Sequence, residues 1–244
     1  MSVSERLSRV AMLPVAPVLA VQGRRLRRVT PLLPPAAQPW SGSLAGDRPV
    51  RLLVLGDSTA AGVGVATQDD GLPGSLAREL AARWSRGVEW TAVGESGATS
   101  RDLVERFLPM ALAADYDLVF LSIGANDALA IRTRTAFARD VRTILGALRE
   151  RNPEATLVMS SLPAFSRFEL LPQPLKRRLY AHSSSLESAA RDVVTGLDNA
   201  FMSPKPPPYT EGFFATDQFH PSAIGYRDWA RFAVGDAFAR GQLR

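Results

Sequence analysis

One serine, one aspartate and one histidine occur in settings that suit nucleophilic catalysis. Ser58 follows the apolar run 50–55 in the sequence Leu-Gly-Asp-Ser-Thr-Ala-Ala-Gly. A hydroxyl at the point where a buried strand turns through glycines lies beside backbone N–H groups. Asp217 and His220 stand three residues apart before a predicted helix, and the only other histidine is His182. His220 is therefore the predicted base.

These three residue types are sufficient for a catalytic triad. His220 would accept the serine proton, while Asp217 would hold the imidazole through its other nitrogen and favour the required tautomer. Aspartate and histidine three residues apart in one turn can make this contact locally. The order Ser, Asp, His along the chain is no obstacle, because triads are defined by geometry.

The elements around these residues predict an α/β protein. Four apolar runs rich in β-branched residues indicate strands buried on both faces of a parallel sheet: 50–55, 88–93, 117–123 and 155–161. A fifth strand is expected at 196–202. Helical patterns cover 74–84, 100–114, 134–151, 174–195 and 221–240, the last with Pro221 in its first turn. This alternation favours right-handed crossovers and a doubly wound sheet.

Small and polar residues follow the first three predicted strands, at 56–58, 94–99 and 124–127. The carboxyl ends of parallel strands meet at one edge of a sheet, which is where sites form. We therefore expect a hydroxyl, a glycine backbone and an amide side chain to converge. Acyl transfer needs this set, because it requires a nucleophile, a base and N–H donors aimed at the developing oxyanion.

Taken together, these segments resemble the SGNH hydrolases, the GDSL esterase/lipase superfamily. The matching residues are Gly56-Asp57-Ser58 with Gly62, Gly94 and Gly97 with Thr99, Gly124 with Asn126-Asp127, and Asp217 with His220-Pro221. The resemblance covers about residues 50–240. It implies a flavodoxin-like three-layer α/β/α sandwich with a parallel sheet of about five strands.

The resemblance also implies roles for individual residues. Ser58 would be the nucleophile, and its own N–H, the Gly97 N–H and the Asn126 amide would form the oxyanion hole. No metal and no cofactor are implied. The asparagine often found just ahead of the second motif is Ala92 here, which puts support of the site in doubt rather than the chemistry. Asp57 and Asp127 are expected to be structural.

The leading hypothesis is a serine esterase or acylhydrolase that cleaves lipid, acyl or acetyl esters through an acyl-enzyme. The alternative is a catalytically idle SGNH-fold protein that binds a ligand or anchors to a membrane. A phosphate-binding loop at 56–64 is disfavoured, because the Lys-Ser/Thr ending of a P-loop is missing. Phe213, Phe214 and Phe219 either line an acyl pocket or belong to the core, and His182 is expected at the surface.

The charge and cysteine content of the chain exclude some kinds of binding partner. Residues 1–48 hold seven arginines and two acids, whereas the rest of the chain has 22 basic and 22 acidic residues. The body therefore shows no basic patch of the kind that binds nucleic acid. The absence of cysteine excludes disulfides and thiolate metal sites. We expect a small-molecule ester substrate, and the sequence leaves the oligomeric state open.

Residues 1–48 are predicted to be a basic, proline-rich arm and linker, followed by a hydrolase domain at 49–244. The apolar run 10–21 is too short to span a bilayer of about 30 Å. Three interpretations remain open: a signal peptide, a peripheral membrane arm, or a segment packed on the body. The predicted location is cytoplasmic or membrane-peripheral, with secretion as the alternative. The proline-rich loop 203–208 is a candidate lid.

Overall fold

The computed structural model of the chain describes residues 8–205 and 209–243. The strands are β1 (Ser41–Leu44), β2 (Val50–Gly56), β3 (Val88–Gly94), β4 (Leu118–Ser122), β5 (Thr156–Met159) and β6 (Ala200–Met202). The α-helices are α1 (Ala16–Val29), α2 (Leu72–Trp84), α3 (Ser100–Asp102), α4 (Leu108–Ala111), α5 (Ala125–Leu129), α6 (Arg134–Arg151), α7 (Leu175–Val194) and α8 (Ala223–Ala239). Two 3₁₀ segments (Val10–Val15 and Phe165–Arg167) and a π-helical turn (Leu103–Phe107) complete the elements.

The strands form one six-stranded sheet in the order β1-β3-β2-β4-β5-β6. All neighbours pair in parallel except β1, which runs antiparallel to β3 at the edge. Helices cover both faces. The predicted α/β/α architecture with a mostly parallel sheet is therefore confirmed, with one edge strand more than expected.

Alternate side chains of β2 show how the two layers form. Leu53 and Leu55 face a cluster that includes α6 and α7, whereas Leu52 and Val54 face a cluster that includes α2 and α8. All four side chains have no solvent exposure. A strand buried on both faces needs an unbroken apolar run, which is the pattern that predicted it.

The extra strand β1 lies within the predicted linker. Its four residues pair with β3, and the carbonyl of Trp40 just before it accepts a 2.8 Å hydrogen bond from the Ala92 N–H. Gly42 is needed there, because a Cβ would lie 2.5 Å from the Trp90 ring. Residues 41–44 therefore belong to the central sheet.

The predicted helix 100–114 is interrupted. It begins at a capping box formed by Thr99 and Asp102, then widens into the π-helical turn before α4. Pro109 explains the interruption, since a proline has no N–H to donate back into the helix. The predicted place of Pro221 in a first turn is wrong. Ser222 caps α8 instead, by accepting hydrogen bonds from two backbone N–H groups.

The N-terminal arm is helical over residues Val10–Val15 and Ala16–Val29. Pro17 lies in the first turn of α1, where backbone N–H groups have no partner within the helix, so its missing N–H costs no hydrogen bond. Leu19 and Leu26 pack against the core, and Gln22 hydrogen-bonds the segment that starts α7. Within the described ranges, no helix is both long and apolar enough to cross a membrane.

Candidate active site

A tight hairpin-like loop positions Asp217 and His220. Its two arms are joined by a 2.8 Å hydrogen bond from Ala215 N–H to the His220 carbonyl. Asp217 Oδ1 accepts the backbone N–H groups of Phe219 and His220 at 3.0 Å each, and its Oδ2 lies 2.6 Å from His220 Nδ1. The carboxylate therefore fixes both the loop and the imidazole ring.

The protonation of this pair follows from its surroundings. Burial alone would raise the pKa of Asp217, but hydrogen bonds from the His220 side chain and the two N–H groups outweigh it and lower that pKa. Asp217 is thus an acceptor at neutral pH. Its bond to Nδ1 favours the tautomer with the proton on Nδ1, which leaves Nε2 free to accept a proton.

Ser58 occupies a turn tied to neighbouring strands. The N–H before it, on Asp57, donates to the Ser122 carbonyl at 3.2 Å, and the Ser58 carbonyl accepts the Val63 N–H at 3.0 Å. Gly56 permits this approach, because a Cβ there would lie 2.2 Å from the Ser122 carbonyl oxygen. The serine side chain is held at the carboxyl end of β2, as predicted.

Two contacts bring the serine turn and the histidine loop together. The buried Tyr226 hydroxyl, on α8, donates to the Val63 carbonyl at 2.7 Å. Gly64 passes so close to the Pro221 carbonyl oxygen that a Cβ would lie 2.2 Å from it. As a result, Ser58 and His220 line one cavity. Sequence reasoning missed both contacts.

The Ser58 hydroxyl makes no hydrogen bond to any described residue, including His220. Catalytic hydrogen bonds are frequently long without substrate and shorten when it binds. The shared cavity is therefore the geometric link between the predicted nucleophile and the predicted base.

Three N–H donors lie at the ends of β2, β3 and β4. Within residues 8–205 and 209–243, no hydrogen bond uses the backbone N–H of Ser58 or of Gly97. The Asn126 amide donates one hydrogen to the Ala98 carbonyl at 3.0 Å, which leaves its second hydrogen free. This contact places the amide beside the Gly97 loop. Of the three donors only that of Ser58 belongs to a residue lining the cavity, so the joint role in an oxyanion hole stays a prediction.

A buried ion cluster connects the Gly97 loop to the Asn126 helix. Asp127 is fully buried and accepts hydrogen bonds from Ser100 N–H at 2.9 Å and Ser100 Oγ at 2.7 Å. Burial raises the pKa of Asp127, partly offset by these bonds and by Arg132, whose guanidinium bridges to Asp140. The expected structural role of Asp127 agrees with this geometry, whereas Arg132 was not singled out by the sequence.

The cavity beside Ser58 has an aromatic wall. It encloses about 620 Å³, including its open mouth. The aromatic lining residues are Phe168, Tyr209, Phe213, Phe214, Phe219 and Trp229. From the sequence, Phe213, Phe214 and Phe219 were expected either to line an acyl pocket or to belong to the core. They do both, because they line the cavity and also pack on the hydrophobic clusters beside the sheet.

Tyr209 joins this wall to the opposite side of the cavity. Its hydroxyl accepts the Ala164 N–H at 3.2 Å, and burial raises its pKa to about 12. Nothing in the sequence marked Phe168, Tyr209 or Trp229, because they lie far apart along the chain. The predicted lid 203–208 includes residues 206–208, which lie outside the described residues.

The prediction that His182 lies at the surface is wrong. Its side chain is only 1% exposed, and its Nδ1 lies 3.0 Å from the hydroxyl of Ser8 in the arm. Burial lowers its pKa. His182 does not line the cavity. Among the described residues, no three His, Asp or Glu side chains are grouped closely enough to hold a metal ion.

Comparison with known proteins establishes the family and the fold of this chain. Residues 54–227 match the family described as GDSL-like Lipase/Acylhydrolase. The chain belongs to this family, which confirms the resemblance drawn from its motifs.

One curated relative is the GDSL-like esterase Rv1075c of Mycobacterium tuberculosis. It is 30% identical over 198 residues, which span 78% of this chain and 61% of that protein. The chain thus matches about three fifths of the relative's length. The family match and this relative support the prediction of a carboxylic ester hydrolase.

Solved structures of low sequence identity share the fold. A lipase/acylhydrolase from Enterococcus faecalis has a TM-score of 0.56 at 21% identity, covering 78% of this chain and 96% of its own. The acetylxylan esterase Axe2 from Geobacillus stearothermophilus has a TM-score of 0.58 at 18% identity, covering 82% and 96%. These likenesses confirm the three-layer architecture.

Proposed function

We propose that this chain is a serine esterase that hydrolyses carboxylic esters through an acyl-enzyme. The observation that carries the proposal is the Asp217–His220 pair, joined at 2.6 Å, with His220 on the wall of the cavity that Ser58 also lines. Ser58 is the nucleophile, His220 the general base and acid, and Asp217 the residue that orients the imidazole.

In the first half-reaction, Ser58 Oγ attacks the ester carbonyl carbon while His220 Nε2 takes the hydroxyl proton. The carbonyl oxygen becomes an oxyanion that the N–H groups of Ser58 and Gly97 and the Asn126 amide stabilise. Collapse of this tetrahedral intermediate breaks the bond to the alcohol oxygen, which receives the proton from His220. The acyl group is then bonded to Ser58.

In the second half-reaction, His220 removes a proton from water, and the resulting hydroxide attacks the acyl carbonyl. The same donors stabilise the second oxyanion. Its collapse releases a carboxylic acid and returns the proton to Ser58 Oγ. Every group used is a side chain or backbone N–H of this chain, and water is the only co-substrate.

The substrate we propose is an ester with an apolar acyl group. Six aromatic side chains line the cavity next to Ser58. Pockets with mostly apolar walls bind organic groups by burying their surface. The aromatic wall can therefore bury an alkyl or aryl acyl chain, while the ester carbonyl stays at the polar rim.

The decisive experiment compares hydrolysis of p-nitrophenyl acetate and p-nitrophenyl decanoate by the wild type and by S58A. We expect the wild type to turn over and S58A to lose activity by about 10⁴-fold or more. We also expect a higher kcat/KM for decanoate, because its chain can be buried against the aromatic wall. A fluorophosphonate probe should label the wild type but not S58A.

S43A is the matched control, since Ser43 is exposed on the edge strand β1. It should keep full activity and full labelling. Equal turnover by the wild type and S58A would assign the hydrolysis to something other than this site. A wild type that neither turns over nor reacts with the probe would identify an idle binding protein instead.

A further inference from the structure

The outward face of the N-terminal helical segment combines exposed apolar side chains with arginines. Leu13, Val18 and Val21 are 69%, 48% and 64% exposed. Exposed cations on α1 include Arg24, Arg25 and Arg28. We call these six residues the arm surface. An exposed helix face that is apolar at one end and cationic at the other is typical of segments that lie in the interface of a membrane.

The opposite face of this segment is fixed to the body. Met12 is buried, and Leu19 and Leu26 pack against the core. Gln22 donates to the Gln173 carbonyl at 2.7 Å and accepts the Leu175 N–H at 3.3 Å. The arm surface is therefore held outward by the packing of the inner face, and no residue of the described ranges covers its apolar side chains.

Charge determines which kind of partner fits. Residues 6–46 contain no acid, and residues 160–186, next to the docked helix, hold four cations and only one acid, Glu169. The contacts of Gln22 bring the start of α7, with Lys176 and Arg177, beside the middle of α1. A positively charged surface attracts anionic partners and repels cationic ones.

We propose that the arm surface binds the surface of an anionic lipid bilayer. The apolar end inserts among the acyl chains, and the arginines pair with the lipid phosphates. Segment 163–175 runs from the cavity wall at Pro163 and Phe168 to the start of α7, where the arm docks. Binding therefore holds the cavity close to the lipid surface.

Membrane binding by the arm surface does not depend on the proposed function; only its benefit for catalysis rests on that function. If the site is an esterase, membrane binding supplies it with esters that partition into lipid. The binding itself depends on the arm surface alone and can be measured without any ester.

The test is flotation of the full chain with vesicles of phosphatidylcholine, with and without 30% phosphatidylglycerol. The wild type should bind the anionic vesicles, and the binding should weaken as salt is added. Each cation near such a surface strengthens binding about fivefold, so the triple variant R24Q/R25Q/R28Q should lose about 100-fold. V18N/V21N should also bind less, and the binding that remains should keep its salt dependence because the arginines are intact, whereas the residual binding of the arginine variant should depend less on salt.

R142Q/R227Q/R231Q is the matched control. It removes the same net charge from exposed positions on α6 and α8. This control and S58A should bind like the wild type, and every arm variant should keep its hydrolysis of a soluble ester and its circular dichroism spectrum.

Three outcomes would overturn the proposal. One is equal binding to neutral and anionic vesicles, and another is an equal loss in the control triple. The third is a dimer that V18N/V21N abolishes in a protein that binds no vesicles, which would identify a second copy as the occupant. A wild type that binds vesicles but hydrolyses no ester would count against the proposed function but not against membrane binding by the arm surface.

Discussion

Asp57, the residue before the proposed nucleophile, makes a contribution to the free energy of unfolding that decreases as pH rises. Its side chain is 2% exposed, and burial raises its pKa from 3.8 to about 6, although hydrogen bonds from the Thr59 backbone and hydroxyl oppose this. In the unfolded chain the carboxyl has its ordinary pKa. The folded protein therefore binds this proton more tightly than the unfolded chain does.

The size of the effect follows from the two pKa values. Well below pH 3.8 the carboxyl is protonated in both states, and well above pH 6 it is ionised in both. Between these limits folding must be accompanied by proton uptake, so the free energy of unfolding decreases with pH. A difference of about two pKa units corresponds to about 3 kcal/mol at 1.36 kcal/mol per unit.

The assay is urea unfolding of the wild type and D57N at intervals from pH 3 to pH 8. The neutral amide cannot ionise, so the free energy of unfolding of D57N minus that of the wild type should rise by about 3 kcal/mol between pH 3 and pH 8, with about 2 kcal/mol of this rise between pH 4 and pH 6. Any constant cost of burying the extra N–H group shifts this difference by the same amount at every pH. The slope therefore isolates the carboxyl.

D217N is the informative control, because the pKa of Asp217 is lowered rather than raised. That carboxylate stabilises the fold above its ordinary pKa, and this contribution is lost as pH falls through its folded pKa. The D217N difference should therefore fall with rising pH, and it should do so below about pH 4. A D57N difference that stays level or falls between pH 4 and pH 6 would refute the reasoning about Asp57.

The remaining predictions concern the positions of the base and of one oxyanion donor. G64A should lower kcat by roughly 100-fold, because a Cβ 2.2 Å from the Pro221 carbonyl oxygen must displace the histidine loop. G146A is its control, because the added Cβ would meet no atom within 4 Å outside its own stretch of helix backbone, and it should raise stability by about 0.5–1 kcal/mol. Equal kcat in both variants would show that the Gly64 approach does not position His220. N126A should lower kcat by about 10²–10³ with little change in KM. Steady-state kinetics and thermal melting measure these effects, and N126A activity within threefold of the wild type would remove Asn126 from the oxyanion hole.

The sequence predicted the body well where local signals were strong. Helix α6 begins and ends at the predicted residues, because Thr133 caps its start with a side-chain hydrogen bond and Asn152-Pro153 ends it. The strand β2 was visible as an apolar run because both of its faces are buried. Local signals of this kind need no knowledge of the rest of the fold.

The elements that were missed depend on distant contacts. β1 has the sequence Ser-Gly-Ser-Leu and becomes a strand only because β3 offers an open edge. Helix α1 contains a proline and four arginines, and its inner face is stabilised by contacts with the core and with the segment before α7. Intrinsic propensity is too weak to predict such segments when tertiary packing decides them.

In the candidate site, too, one part was predictable from the sequence and another depends on distant contacts. That Ser58, the Gly97 loop and Asn126 share one edge follows from any parallel sheet with these residues after its strands. The aromatic wall was not predictable in the same way. Phe168 and Tyr209 lie 41 positions apart in loops, where no periodicity marks the face of a side chain, and they meet only when the chain is folded, at a ring separation of 5.7 Å.

The two histidines show which sequence signal separates a structural imidazole from a reactive one. His182 continues the buried stripe of α7 through Leu175, Leu179 and Leu186, at helical spacings of three and four residues. That spacing places it in the core whatever its polarity, and the pattern could have been recognised. His220 follows an acid by three residues outside any helix, so the carboxylate and the imidazole meet within one turn while the opposite ring edge faces the cavity. A histidine on a buried helical stripe lacks that second, open side, and base catalysis requires it.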